Sequence, residues 1–117
     1  TATDSKILLH MSVPVWFYRG GYADCRFKGQ IVRSISGGAS TNLVTASDGS
    51  MGGRRETTGN DDVWGTWLSY SLLDSPSTTS ATTYKLQLAI INAAGTSYII
   101  PNVSDCESYM TALEVLA

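Results

Sequence analysis

The sequence predicts an all-β domain, an antiparallel jelly-roll-like β-sandwich of seven or eight short strands. Hydrophobic residues make up 43% of the 117 residues and charged residues only 15%, below the roughly one quarter that is typical of soluble proteins. Ser and Thr together form about a quarter of the chain, which suits the outer faces of strands better than solvated helices. Short apolar or alternating segments recur about every ten residues between turn-forming residues.

The first predicted strand runs from Lys6 to Val13, and Pro14 argues against its continuing as a helix. Its apolar face is Ile7, Leu9, Met11 and Val13. The aromatic segment 15–18 is β-prone, and Gly20-Gly21 predicts a tight reversal before the segment 22–35. We therefore expect a hairpin at this position.

Residues 36–60 are rich in Gly, Ser, Thr and Asp and are predicted to form the longest loop, with only Asn42 to Ala46 as a short strand. Trp64 to Leu72 alternates cleanly, which places Trp64, Leu68, Tyr70 and Leu72 towards the core. After a turn-rich connection, Thr83 to Ile91 alternates again with Tyr84, Leu86, Leu88 and Ile90 inward. Ala94-Gly95 then predicts a turn into a strand over 97–100.

The C-terminal segment fits two structures. Ser104 and Glu107 have capping-box spacing, and apolar residues follow at helical intervals. A strand would instead place Leu113 and Val115 on one face and Met110, Ala112 and Leu116 on the other. Periodicity leaves helix and strand open.

The run Leu72 to Gln87, which reads LLDSPSTTSATTYKLQ, resembles a motif of phage virion structural proteins, including those of cyanophages: tail fibres, tailspikes and head fibres. SKILLHMSV and TALEVLA resemble the opening and closing strands of these domains. The residues that carry the central motif are Asp74, Ser75, Pro76, Thr79, Thr82, Tyr84 and Lys85.

The resemblance implies one jelly-roll domain over residues 1–117 that assembles as a homotrimer, with its first and last strands adjacent in one sheet. The C-terminal segment would then be a strand. Its two-sided pattern would place Met110, Ala112 and Leu116 at the threefold interface and turn Leu113 and Val115 to the core, while Trp67 is a further interface candidate.

The function implied is that of a non-enzymatic virion protein on a tail or capsid surface, which caps a tail fibre or tailspike and contacts other virion proteins. A capsid decoration or head-fibre domain is the alternative. The chain would be a processed product or the C-terminal part of a longer polypeptide. Host polysaccharide is the expected external ligand, with Trp16, Tyr18, Tyr22, Arg54 and Arg55 as candidate contacts.

Catalytic, metal and cofactor sites have no motif. The single histidine, His10, stands without a nucleophile signature, and the carboxylates Asp48, Glu56, Asp61, Asp62 and Asp74 lack calcium-loop spacing and are expected to be solvated. Cys25 and Cys106 are expected to be buried thiols or a long-range disulfide. A net charge of −2 gives no reason to expect nucleic acid, and no apolar window is long enough to insert into a membrane.

Overall fold

The computed structural model describes residues 3–19, 25–45, 52–55, 62–92, 97–102 and 106–116. These residues form β1 (Lys6–Arg19), β2 (Cys25–Ile35), β3 (Ser40–Thr45), β4 (Gly52–Arg55), β5 (Asp62–Asp74), β6 (Thr82–Asn92), β7 (Ser97–Pro101) and β8 (Tyr109–Val115). Within these ranges there is no helix, and so none that could cross a membrane. The all-β prediction is confirmed.

The strands form two antiparallel sheets, each built on one long central strand. In sheet A, β1 pairs with β5 along one edge, and along the other edge first with β8 and then with β7. In sheet B, β2 pairs with β6 along one edge, and along the other with β4 and then with β3. The first and last strands are therefore neighbours in sheet A.

Pro14 lies inside β1, where the sequence suggested that the first strand would end. On one edge β1 changes partner here, because β8 pairs with residues 6–12 and β7 with residues 15–19. The Pro14 carbonyl accepts a hydrogen bond from Asn102 N at 3.0 Å on that same edge. An N–H at position 14 would point to this same edge, where β8 ends and β7 begins, and not towards β5. Proline therefore removes no hydrogen bond from the β1–β5 pairing.

The core lies between the sheets and has two adjoining parts. Ile31 of β2 packs with Ile7, Leu9 and Met11 of β1, and Phe27 packs with a cluster further along β1 that includes Val15 and Phe17. The inward residues predicted on β5 and β6 pack against these clusters as expected. They are Trp64, Leu68, Tyr70 and Leu72 on β5, and Tyr84, Leu86, Leu88 and Ile90 on β6.

Two predicted connections differ from the structure. The hairpin at Gly20-Gly21 is wrong, because β1 and β2 lie in different sheets and each has both edges taken by other strands; residues 20–24 themselves lie outside the described ranges. Within the predicted long loop, β3 corresponds to the short strand expected over 42–46, whereas β4 was not predicted; both pair with β2. Gly37, at φ 76°, closes the β2–β3 hairpin, in which Gly38 N donates to the Ile35 carbonyl.

The C-terminal segment is a strand, but its faces are the reverse of those predicted. Met110 pairs opposite Met11 and Leu113 opposite Leu8, and directly opposed residues share a face of the sheet. Leu113 therefore lies on the outer face with Leu8, and Met110 on the side of the core. Every residue of β8 is exposed, since the strand lies at the edge of sheet A beyond the cover of sheet B.

The connection between β5 and β6 lies where the sequence predicted it and crosses from sheet A to sheet B. Ser36 N donates to the Ala81 carbonyl at 2.9 Å, which ties the connection to the end of β2. Pro76 is buried. Asp74, expected to be a solvated carboxylate, is only 7% exposed, which corrects that expectation.

Candidate functional site

The outer face of sheet A carries a ladder of exposed apolar side chains, here called the apolar face. It consists of Leu8, Trp16, Val63, Trp67, Leu73, Tyr98, Ile100, Tyr109, Leu113 and Val115, the last of which was also predicted to face the core. Side chains along β1 alternate between the core and the outer face. Directly opposed residues share a face, so the partners of the outward β1 residues on the neighbouring strands also face outward. Trp67 and Leu113 are 54% and 55% exposed, far more than side chains of a stable core. Clustered exposed apolar side chains of this kind are typical of an interaction site.

One end of the apolar face is aromatic. The five-membered part of the Trp16 indole lies over Gly65, with Nε1 only 3.0 Å from where a Cβ would stand. Tyr18 and Tyr98 stack with ring centroids 4.6 Å apart. Together with Val63 and Ile100, Trp16 and these two tyrosines line a pocket of about 190 Å³. Glycine at position 65 is what allows the indole to lie flat on the sheet.

A polar band crosses the middle of the same face. Ser71 Oγ is 2.7 Å from His10 Nδ1, and Tyr109 Oη is 3.5 Å from His10 Nε2. Ser12 and Ser69 pair at 3.1 Å beside them. In a Ser-His-Asp site the second imidazole nitrogen would hydrogen-bond to a carboxylate, whereas here His10 Nε2 contacts the hydroxyl of Tyr109. The pairing is a cross-strand hydrogen-bond network.

Strand β8 exposes apolar side chains on both faces. Met110 is 40% exposed on the core side and Leu116 is 75% exposed beyond the end of the strand. Ala112 is exposed on the same side as Met110. The three C-terminal interface candidates are thus accessible, but Trp67 lies on the opposite, outer face of the sheet. The chain presents two separate apolar patches.

The structure does not bring the five predicted glycan contacts together. Trp16 and Tyr18 belong to the outer side of sheet A. Arg54 and Arg55 lie on β4 in sheet B, in register with Arg26 and Cys25, while Tyr22 lies outside the described residues.

A buried polar cluster links the two sheets. Arg33 Nη1 of β2 donates to the Asp74 carboxylate of β5, at 2.8 Å from Oδ1 and 3.0 Å from Oδ2. Tyr84 Oη of β6 donates to Asp74 Oδ2 at 2.8 Å. Partial burial, reinforced by the hydrogen bond to Asp74 and by its charge, raises the pKa of the Tyr84 hydroxyl.

The sequence placed Asp74 in the central motif and among the carboxylates expected to be solvated, and it did not single out Arg33. One signal was available: Arg33 continues the inward alternation of Phe27, Gly29 and Ile31 and is the only charged member of that series. A charge at an inward position needs a buried partner. Asp74 and Tyr84 supply it at the end of the sandwich.

In the described part of the chain, no three His, Cys, Asp or Glu residues come together as they would in a metal site. Asp48, Glu56 and Asp61 lie outside those ranges. Cys106 is a free, exposed thiol, so the expectation that it is buried or bonded is wrong. Comparison with protein-family models, with curated proteins and with solved structures gives no match.

Proposed function

We propose that this domain is a non-enzymatic structural module that assembles as a homotrimer, and that it caps a tail fibre or tailspike of a phage virion. The observation that carries the proposal is the apolar face of sheet A. A single sandwich leaves it in water, and a neighbouring copy would cover it. The chemistry of this face suits packing, because its polar groups already bond to one another in the band around His10 and Ser12.

The dimensions of the apolar face suit a stable interface. Strand β1 has 14 residues, so at a rise of about 3.3 Å per residue the sheet is about 46 Å long, and three strands make it about 14 Å wide. Complete cover of that surface would bury about 650 Å² of sheet A, which is close to the roughly 800 Å² per partner of a standard interface.

The second patch, on β8, favours a cyclic trimer over a twofold dimer. A cyclic trimer joins two different surfaces of each subunit, whereas a twofold dimer joins one surface to itself. Met110 and Ala112 are exposed on the other side of sheet A from the apolar face, Glu114 follows them on that side, and Leu116 is exposed beyond the end of the strand. Strand β8 also pairs with β1 along only one edge among the described residues, and unpaired edges readily accept another chain.

The virion assignment rests on the resemblance of Leu72 to Gln87 to phage structural proteins. Two features are consistent with it: the pairing of β1 with β8, and the use of Asp74 and Tyr84 from the motif to join the sheets. The jelly-roll topology is part of the same proposal. A capsid decoration or head-fibre domain would use the same interface and differ in its anchor. The sequence upstream would decide among these locations: fibrous repeats would indicate a tail fibre, a β-helix a tailspike, and a capsid-binding domain a decoration protein.

The test is the oligomeric state in native mass spectrometry at micromolar concentration. We expect a homotrimer for the parent, and monomers with unchanged circular dichroism for Trp67→Lys and Leu113→Lys, because an unpaired lysine would be buried at each of three symmetric interfaces. Thr83→Lys, exposed on sheet B, is the matched control and should remain trimeric. A monomeric parent would remove the proposal.

A further inference from the structure

Positive charge is concentrated in sheet B. Of the eight Lys and Arg residues of the chain, six lie on strands of this sheet: Arg26, Lys28, Arg33, Arg54, Arg55 and Lys85. None of the ten Asp and Glu residues lies on β2, β3, β4 or β6. The chain as a whole has a net charge of −2, so folding separates charges that the overall composition conceals.

Part of this charge faces outward. Alternation along β2 and β6 places Lys28, Gln30, Lys85 and Gln87 on the outer face of sheet B, opposite the inward residues of the core. Arg33 points inward and is neutralised by Asp74. Neither Lys28 nor Lys85 pairs with a carboxylate within the described ranges. These two ammonium groups remain available to a ligand.

The same face has a groove of about 460 Å³, lined by Lys28, Gln30, Gln87, Leu88 and Ala89. Lys28 stands opposite Ala89, and this small side chain leaves space beside the lysine. Gln30 and Gln87 are register partners, and the Gln30 amide donates to the Gln87 carbonyl oxygen at 2.5 Å. That bond leaves each amide with further donor and acceptor capacity.

We infer that this groove and Lys85, which lies two residues before Gln87 on the same face of β6, bind an anionic polysaccharide, whose carboxylate or sulfate groups pair with Lys28 and Lys85 and whose hydroxyls bond to Gln30 and Gln87. Amides match sugar hydroxyls because they both donate and accept, and an ammonium group pairs with an anion through charge-assisted bonds. The inference goes beyond the proposed assembly function and places the polysaccharide ligand expected from the sequence on sheet B. It uses the sheet opposite to the apolar face, so ligand and assembly do not compete.

Nucleic acid fits the face less well. Single strands bind by stacking bases on aromatic side chains along a basic groove, and no aromatic side chain faces outward from the described residues of β2, β3 or β6. Duplex affinity depends on many phosphate contacts, whereas this groove offers few cations. The amide pair favours a hydroxyl-rich ligand.

The experiment measures binding by biolayer interferometry to four immobilised probes: alginate, dextran sulfate, neutral dextran and single-stranded oligodeoxythymidine. We expect alginate or dextran sulfate to bind, with the tighter one showing whether carboxylate or sulfate is preferred, and affinity to fall as salt is raised. The double variant Lys28→Gln, Lys85→Gln should lose about tenfold or more in affinity. The matched control Lys6→Gln removes one charge from sheet A and should bind as the parent does.

Gln30→Ala changes no charge and should still weaken binding, which separates the groove from general attraction to polyanions. The inference is overturned if neither polyanion binds, if neutral dextran or the oligonucleotide binds more tightly than both, or if Lys6→Gln loses as much affinity as the double variant. Native mass spectrometry of the same samples reports the oligomeric state independently. A monomer that binds alginate would contradict the trimer and leave this inference standing.

Discussion

Replacing Asp74 with Ala should reduce the free energy of unfolding by about 3–5 kcal/mol, because it leaves the charge of Arg33 without its partner between the sheets. Asp74 is 7% exposed and Arg33 16% exposed, so water can compensate only in part. The same change removes the acceptor of Tyr84. The substitution therefore removes side-chain links among three strands, β2, β5 and β6.

Hydrogen bonds to a charged group contribute about 1.5–3 kcal/mol each. Asp74 accepts one from Tyr84 and a shared one from the Arg33 Nη1 group. Two such bonds give about 3–6 kcal/mol, which agrees with the range for breaking a buried pair. The double variant Arg33→Met, Asp74→Leu should recover much of this loss, because it removes the charge and its partner together.

The assay is urea unfolding at neutral pH followed by tryptophan fluorescence, which yields the free energy of unfolding of each variant. Glu107→Ala removes an exposed carboxylate and is the control, expected to change the unfolding free energy by less than about 0.5 kcal/mol. A loss below about 1 kcal/mol for Asp74→Ala, or no recovery in the double variant, would refute the view that this cluster holds the sheets together.

Two further predictions concern the same core. The raised pKa of Tyr84 means that the folded state holds this proton more tightly than the unfolded chain, whose tyrosine has a pKa near 10.0. That stabilisation is complete below pH 10 and declines as pH rises towards the folded pKa. In alkaline urea titrations, the stability advantage of the parent over Tyr84→Phe should therefore shrink above pH 10. A stability difference that stays constant with pH would contradict this. Met11→Ala, at a site only 1% exposed, should cost about 2–5 kcal/mol in urea unfolding. In the Trp67→Lys background, in which no interface covers it, the register partner Met110 is 40% exposed and should cost less than about 1 kcal/mol on the same change; similar costs at both sites would be evidence against the register.

Local sequence pattern was sufficient for most of the strands and for most of their inward faces, but it missed β4 and left β8 open between helix and strand. Strand β5 turns Leu68, Tyr70 and Leu72 to the core as alternation predicted, and β6 does the same with Leu86 and Leu88. Alternation determines this because successive side chains of a strand point to opposite sides, so a run with one apolar side has one way to bury it.

Tertiary structure alone decided which strands pair and which surfaces stay open. The glycines between β1 and β2 suggested a hairpin, yet β1 pairs with β5, β7 and β8. The pattern of β8 could not show that Leu113 lies outside, because both of its faces are apolar and only the register with Leu8 distinguishes them. Pairing between distant strands depends on contacts that no local window contains. The Arg33–Asp74 pair and the separation of charge between the sheets appear only when residues far apart in sequence meet in the fold.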